Sequence, residues 1–120
     1  MSHIVQIKTE CRDLEALKGA CRRLKLAEPV HGKYSVFSVS REGYGVRLPN
    51  WNYPVVVNIE TGAVDFDNYN GSWGKQEELD KLLQAYAVEK AVLEAQRNGY
   101  SLYETVLPDG SIELNITMEA

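Results

Sequence analysis

The chain has 120 residues, with 13 Lys and Arg against 17 Asp and Glu, a formal charge of −4 and 44% hydrophobic content. That length supports one domain whose core needs neither disulfide nor metal. The acidic balance excludes a protein that coats nucleic acid or anionic membrane over its whole surface, and no run approaches the ~20 apolar residues of a membrane span.

The opening residues Met1-Ser2-His3-Ile4-Val5-Gln6 hold no basic segment followed by a long apolar run. No secretory signal is therefore expected, and the setting reads as cytoplasmic and reducing. A strand is predicted over Ile4–Cys11, where Val5, Ile7 and Thr9 alternate to one side. Asp13 can cap the following helix, in which Leu14, Leu17, Cys21 and Leu24 recur at helical spacing before Pro29. Neither Cys11 nor Cys21 has a close Cys or His companion, which argues against a zinc site. Cys21 falls on the apolar stripe as a small hydrophobe, and a disulfide is not expected in this compartment.

Four short β-rich segments come next: Lys33–Ser40, Tyr44–Leu48, Val55–Ile59 and Ala63–Asp67. Turn signals at Glu42-Gly43, Pro49-Asn50 and Thr61-Gly62 separate them. Gly74 can open a long helix whose first turn carries Glu77, Glu78 and Asp80, and Gly99 ends it in the left-handed conformation. Tyr100–Leu107 and Ser111–Met118 then flank the turn Pro108-Asp109-Gly110. Ile112, Leu114, Ile116 and Met118 alternate with Glu113, Asn115 and Thr117, so the last strand should bury one face. With no linker or repeat, residues 1–120 form one domain. Helices too few to alternate with every strand imply an α+β class, a largely antiparallel sheet with two helices on one face. The expected topology is a ferredoxin-like plait with an expanded middle.

Met1-Ser2-His3, Ile7-Lys8-Thr9, Leu14, Leu17-Lys18 and Leu24 at one end pair with a second set at the other. That second set is Leu82-Leu83-Gln84-Ala85-Tyr86-Ala87, Gly99-Tyr100 and Asp109-Gly110-Ser111-Ile112. Together they resemble the conserved hypothetical chloroplast frame thirty-five family, small proteins of cyanobacteria, algal plastids, other bacteria and phages. The likeness covers both ends and departs in the middle, where the family's tryptophan-rich stretch matches Asp65–Trp73 only loosely. The resemblance implies an α+β fold and no established activity, and it transfers no functional residue.

Three constellations carry candidate chemistry. Trp51, Tyr53, Tyr69 and Trp73 lie in Asn- and Gly-rich loops, where an exposed aromatic anchors a partner and a folded-back one is core. Lys18, Arg22 and Lys25 stand at helical spacing opposite the buried stripe, a basic face for phosphate or an acidic protein, or a solvated surface. Asp65, Asp67, Asn68 and Asn70 fail the spacing of a calcium loop, and no metal or cofactor is assigned. His3 and His31 sit in no nucleophile motif, so no catalytic residue is named and an enzyme is not expected.

The leading expectation is a binding or adaptor protein of cellular or phage origin. It would engage a protein partner through the aromatic loops and the basic helix face. Two alternatives concern phosphate-bearing ligands. One is a metal-dependent enzyme built from His31, Asp65 and Asp67. The other is a small nucleotide-like ligand stacked on the aromatics, with Arg47 or Arg22 on its phosphate. Nucleic acid and membrane are not expected partners. The long helix also offers more apolar surface than the ~100°-wide face that a sheet covers. The first helix or a second copy must cover the rest, and a two-fold homodimer is expected, reinforced by the last strand if it is an edge; splitting by Val88→Glu or Val92→Glu would place its interface on this helix.

Overall fold

The computed structural model describes residues 5–7, 11–36 and 38–117. In chain order the elements are β1 (Val5–Ile7), α1 (Leu14–Arg23), β2 (Val30–Val36), β3 (Val39–Val46), β4 (Val55–Val57) and β5 (Val64–Phe66). A 3-10 turn at Tyr69–Gly71 leads to α2 (Gln76–Arg97), β6 (Ser101–Val106) and β7 (Ile112–Thr117). The five strands β1-β5-β4-β3-β2 form one sheet in that spatial order, and β6 and β7 form a separate two-stranded sheet. Every neighbouring pair is antiparallel.

The class is α+β, as the element pattern implies. The ferredoxin-like plait is not the topology found. That plait interleaves its strands through crossovers, whereas here β2 to β5 run as a meander and β1 closes antiparallel on β5. The C-terminal strands do not join the main sheet either.

Cross-strand partners Tyr44 and Val57, Val46 and Val55, and Val57 and Val64 share one face of the sheet with Phe66. Both helices cover that face, where Ala16, Leu17, Ala20 and Cys21 of α1 meet Leu79, Leu82, Ala85 and Tyr86 of α2 in one buried cluster. Asp13 caps α1 by accepting the Ala16 N–H at 3.2 Å, and its own N–H donates to the Tyr86 hydroxyl at 3.0 Å. Its carboxylate also meets Lys90 at 3.3 Å and Arg97 at 3.6 Å. Burial works to raise the pKa of Asp13, but the Ala16 N–H and the cations Lys90 and Arg97 outweigh it and hold the carboxyl below 3.8.

Each helix ends in the same way. Gly99, with φ 73°, donates to the Gln96 carbonyl while Tyr100 donates to Ala95. At the end of α1 the left-handed place falls to Lys25, with φ 59°, which donates to Arg22 while Leu26 donates to Cys21. Lys25 therefore lies past the helix, and the expected basic face of Lys18, Arg22 and Lys25 is not one continuous helical row. The long helix is preceded by Lys75 at its cap position rather than Gly74.

Glu42-Gly43 is not a turn. Both residues lie inside β3, where Gly43 pairs with Gly32. A methyl at Gly43 would stand 2.6 Å from the Val57 carbonyl oxygen, and one at Gly45 would strike the Tyr34 ring at 2.4 Å. These glycines admit close neighbours instead of bending the chain. Pro49-Asn50 and Thr61-Gly62 do turn, with Trp51 donating to Leu48 and Gly62 to Asn58. The expected extensions of the first strand through residues 8–10 and of the last to Met118 lie outside the described residues, as do Met1-Ser2-His3.

Val88 is buried at 5% exposure, and α2 packs against both α1 and the β6–β7 hairpin. Ala91, Val92 and Leu93 remain half-buried and Ala87 is exposed, so the chain itself covers the surplus apolar surface of the long helix only in part, and a dimer through Val88 alone would need its packing undone. Among the described residues no helix is long and apolar enough to cross a membrane.

Candidate functional site

The aromatic loops converge. Asn52 donates to the Trp73 carbonyl at 2.9 Å, which ties the loop before β4 to the loop before α2. Tyr53 meets Trp73 edge-on with ring centroids 5.6 Å apart, and Tyr69 lies over Trp73 at 4.8 Å. Trp51 faces inward: it packs on Phe66 at 5.9 Å, and its indole N–H donates to the Lys75 carbonyl at 3.1 Å. Its ring occupies the space that a side chain at Gly74 would need. Trp51 is consequently part of the core margin, while Tyr53 and Trp73 are half-buried and Tyr69 is exposed.

The basic candidates disperse. Lys18 forms an ion pair with Glu28 at 3.4 Å, and Arg22, Lys25 and Arg47 are exposed on separate stretches of chain. The organised cation is a residue that spacing alone did not single out. Arg23 grips the Glu104 carboxylate with both terminal nitrogens, at 2.6 and 2.9 Å, and donates through Nε to Glu89 at 3.1 Å. One guanidinium therefore clasps α1, α2 and β6 together. The hydrogen bonds to Glu104 and Glu89 raise the Arg23 pKa against the effect of burial, and the same contact holds Glu104 below 4.5.

The acidic residues do not meet His31. Asp65 sits on the sheet face away from the helices, where Arg41 reaches it at 3.5 Å, while His31 pairs with Tyr44 on the other face. Asp67 is buried and caps a local turn by accepting the Tyr69 N–H at 3.1 Å. The arrangement of His31, Asp65 and Asp67 around a metal is thus contradicted by the sheet register. Among the described residues no group of three His, Cys, Asp or Glu side chains could hold a metal ion. His31 instead lines an open cleft of about 330 Å³ with Glu42, Tyr44, Asn58 and Glu60.

The most exposed apolar surface is elsewhere. In the hairpin, Leu102 and Ile116, Glu104 and Leu114, and Val106 and Ile112 pair on the face toward the helices. Ile112, Leu114 and Leu102 are half-covered, yet Val106 remains 72% exposed and Ile116 51%. Tyr103, on the opposite face beside Asn115, is 63% exposed. The turn that joins the strands is closed by hydrogen bonds: Gly110, with φ 88°, donates to Leu107, and both the N–H and hydroxyl of Ser111 donate to Asp109. Gln84 of α2 donates to the Gly110 carbonyl at 3.3 Å and steadies the tip. The alternation in β7 marked this strand in the sequence, but nothing in it revealed that its apolar face would be only partly covered. Comparison with protein-family models, curated proteins and solved structures finds no match.

Proposed function

We propose that this protein is a non-enzymatic binding module that engages a protein partner, and that the β6–β7 hairpin is its principal surface. One observation carries the reading: Tyr103 on one face and Val106 and Ile116 on the other stand exposed on a two-stranded sheet fixed to the body by the Arg23 clasp. Two strands alone are marginal in water, and edge strands bind by adding a strand from elsewhere. Aromatic and β-branched side chains on such an edge supply the anchor area that interfaces use.

The patch of Tyr53, Tyr69 and Trp73 serves in this reading as a second, smaller contact, with the half-buried Trp51 as its support against the core. Arg22, Lys18 and Arg47 contribute long-range attraction to an acidic partner rather than a built pocket. A cytoplasmic setting agrees with two buried cysteines, neither of them in a disulfide. The likeness of both chain ends to the chloroplast frame thirty-five family stands as a proposal of kinship and adds no residue role.

The test compares the parent with a Tyr103→Ser, Ile116→Ser double variant as bait in a lysate of the native host. The variant should lose at least about tenfold of the captured partner, as hot-spot aromatics do, while its melting temperature moves by only a few degrees. Equal capture by both baits overturns the hairpin as the surface.

A further inference from the structure

Resting on the reading of the hairpin as a binding surface, we propose that its occupant is a second copy of this chain. The two copies join edge to edge along β7, about a two-fold axis at Leu114. A two-fold perpendicular to a sheet brings antiparallel strands together with their faces preserved, so each residue meets one of the same parity.

Placed at Leu114, the axis sets that side chain against its own copy and Ile112 against the partner's Ile116. The three apolar positions of β7 are then all matched on one face. On the other face Glu113 meets the partner's Asn115, so no like charges oppose. Ile116, half in water in one chain, gains an isoleucine neighbour. The outcome is one four-stranded sheet in place of two separate two-stranded ones, which crosses the size at which a sheet becomes independently stable.

The other strand cannot pair with itself in this way. An axis at Glu104 opposes two carboxylates, while axes at Tyr103 or Thr105 set Glu104 against the partner's Leu102 or the partner's Val106. Glu104 is in any case committed to Arg23 at 2.6 and 2.9 Å. β7 also lacks the devices that guard a strand edge: Ile112–Thr117 contains no Lys, no Pro and a single charge, Glu113. Among the described residues, β6 is the one strand paired with it.

Light scattering across a concentration series to about 200 μM tests the association, because a dimer is governed by mass action. The expected mass is that of two chains at the upper end. Asn115→Lys should tighten the dimer by facing Glu113 of the partner subunit, and Asn115→Glu should loosen it. The two variants should differ by roughly tenfold in dissociation constant, since each contact occurs twice. Mild oxidation then reads the register: Leu114→Cys should cross-link to itself, while Asn115→Cys and Glu113→Cys should cross-link only when mixed. The buried native thiols give a silent background, with Cys21 pushed up to about 11 by desolvation.

A one-chain mass at every concentration overturns self-pairing. So does a dimer indifferent to Asn115, or one cross-linked at Asn115 and not at Leu114. If the chain is monomeric yet the Tyr103→Ser, Ile116→Ser variant still loses a captured partner, self-pairing falls and the hairpin reading stands. If that variant loses nothing as well, both fall.

Discussion

The main sheet and the C-terminal hairpin are written in the same residue alphabet and meet opposite fates. Val55, Val57 and Val64 are each at most 1% exposed, beneath two helices. Val106 and Ile116, of the same type and also in regular strands, are mostly in water. The difference is supply of cover. The body has two helices for one face of its sheet, and the hairpin shares a flank of one helix that is already occupied. Alternation in a sequence thus states which face is apolar, but not how much of it the chain itself can hide.

The sharpest way to break this comparison is a matched pair of truncations. Leu79→Ala in the body should cost about 3 kcal/mol, because a fully buried leucine leaves a cavity, while Ile116→Ala should cost under about 0.5 kcal/mol in dilute protein. Urea melts measure both. Equal losses would mean that the hairpin is as well covered as the core.

A smaller effect tests how the hairpin is held. Glu104→Gln should cost about 0.5–1 kcal/mol at pH 7, the scale of a well-formed but solvent-accessible ion pair. Arg23 holds Glu104 below 4.5, so the folded protein binds its proton later than the unfolded chain does. The pair's contribution is therefore complete above pH 4.5 and fades as pH falls through the depressed value. Melting curves of parent and variant should converge as the pH is lowered below 4.5. A gap that persists in acid would remove the clasp from the account.

The smallest expected effect has the opposite sign. Lys25→Gly should stabilise by about 0.5 kcal/mol, since the left-handed φ of 59° strains a lysine and suits glycine. Capture of a partner should be unchanged if Lys25 acts as a helix end and not as a contact. A loss of capture would return it to the binding surface.

What was legible in the sequence follows from how local each signal is. The end of α2 and the β6–β7 turn were readable because Gly99 and Pro108-Asp109-Gly110 act on their own backbone. Lys25 was misread as part of a helix face because periodic counting runs on past a cap that no glycine announces. Glu42-Gly43 was misread as a turn because a glycine that bends and a glycine that admits Tyr34 or a neighbouring carbonyl are the same letter. The strand order was hidden for another reason: the pairing of β1 with β5 depends on contacts far apart in the chain. Among the candidate site residues, the loops around Trp51 and Trp73 were visible, but which indole faces inward depends on Phe66 and Gly74. The Arg23 clasp joins three elements, and no spacing within one of them encodes it.

The sheet order also bears on how the chain is made. β2 to β5 each meet the next strand through a short connection, so most of the sheet can zip up as it leaves the ribosome. β1 must wait: its partner for Val5 is Phe66, on the far side of the first helix and the whole meander. Until α2 at Gln76–Arg97 emerges, the completed sheet has only α1 to shelter its valines. The nascent protein therefore passes through a stage in which the apolar face later sealed by α2 lies open to other chains.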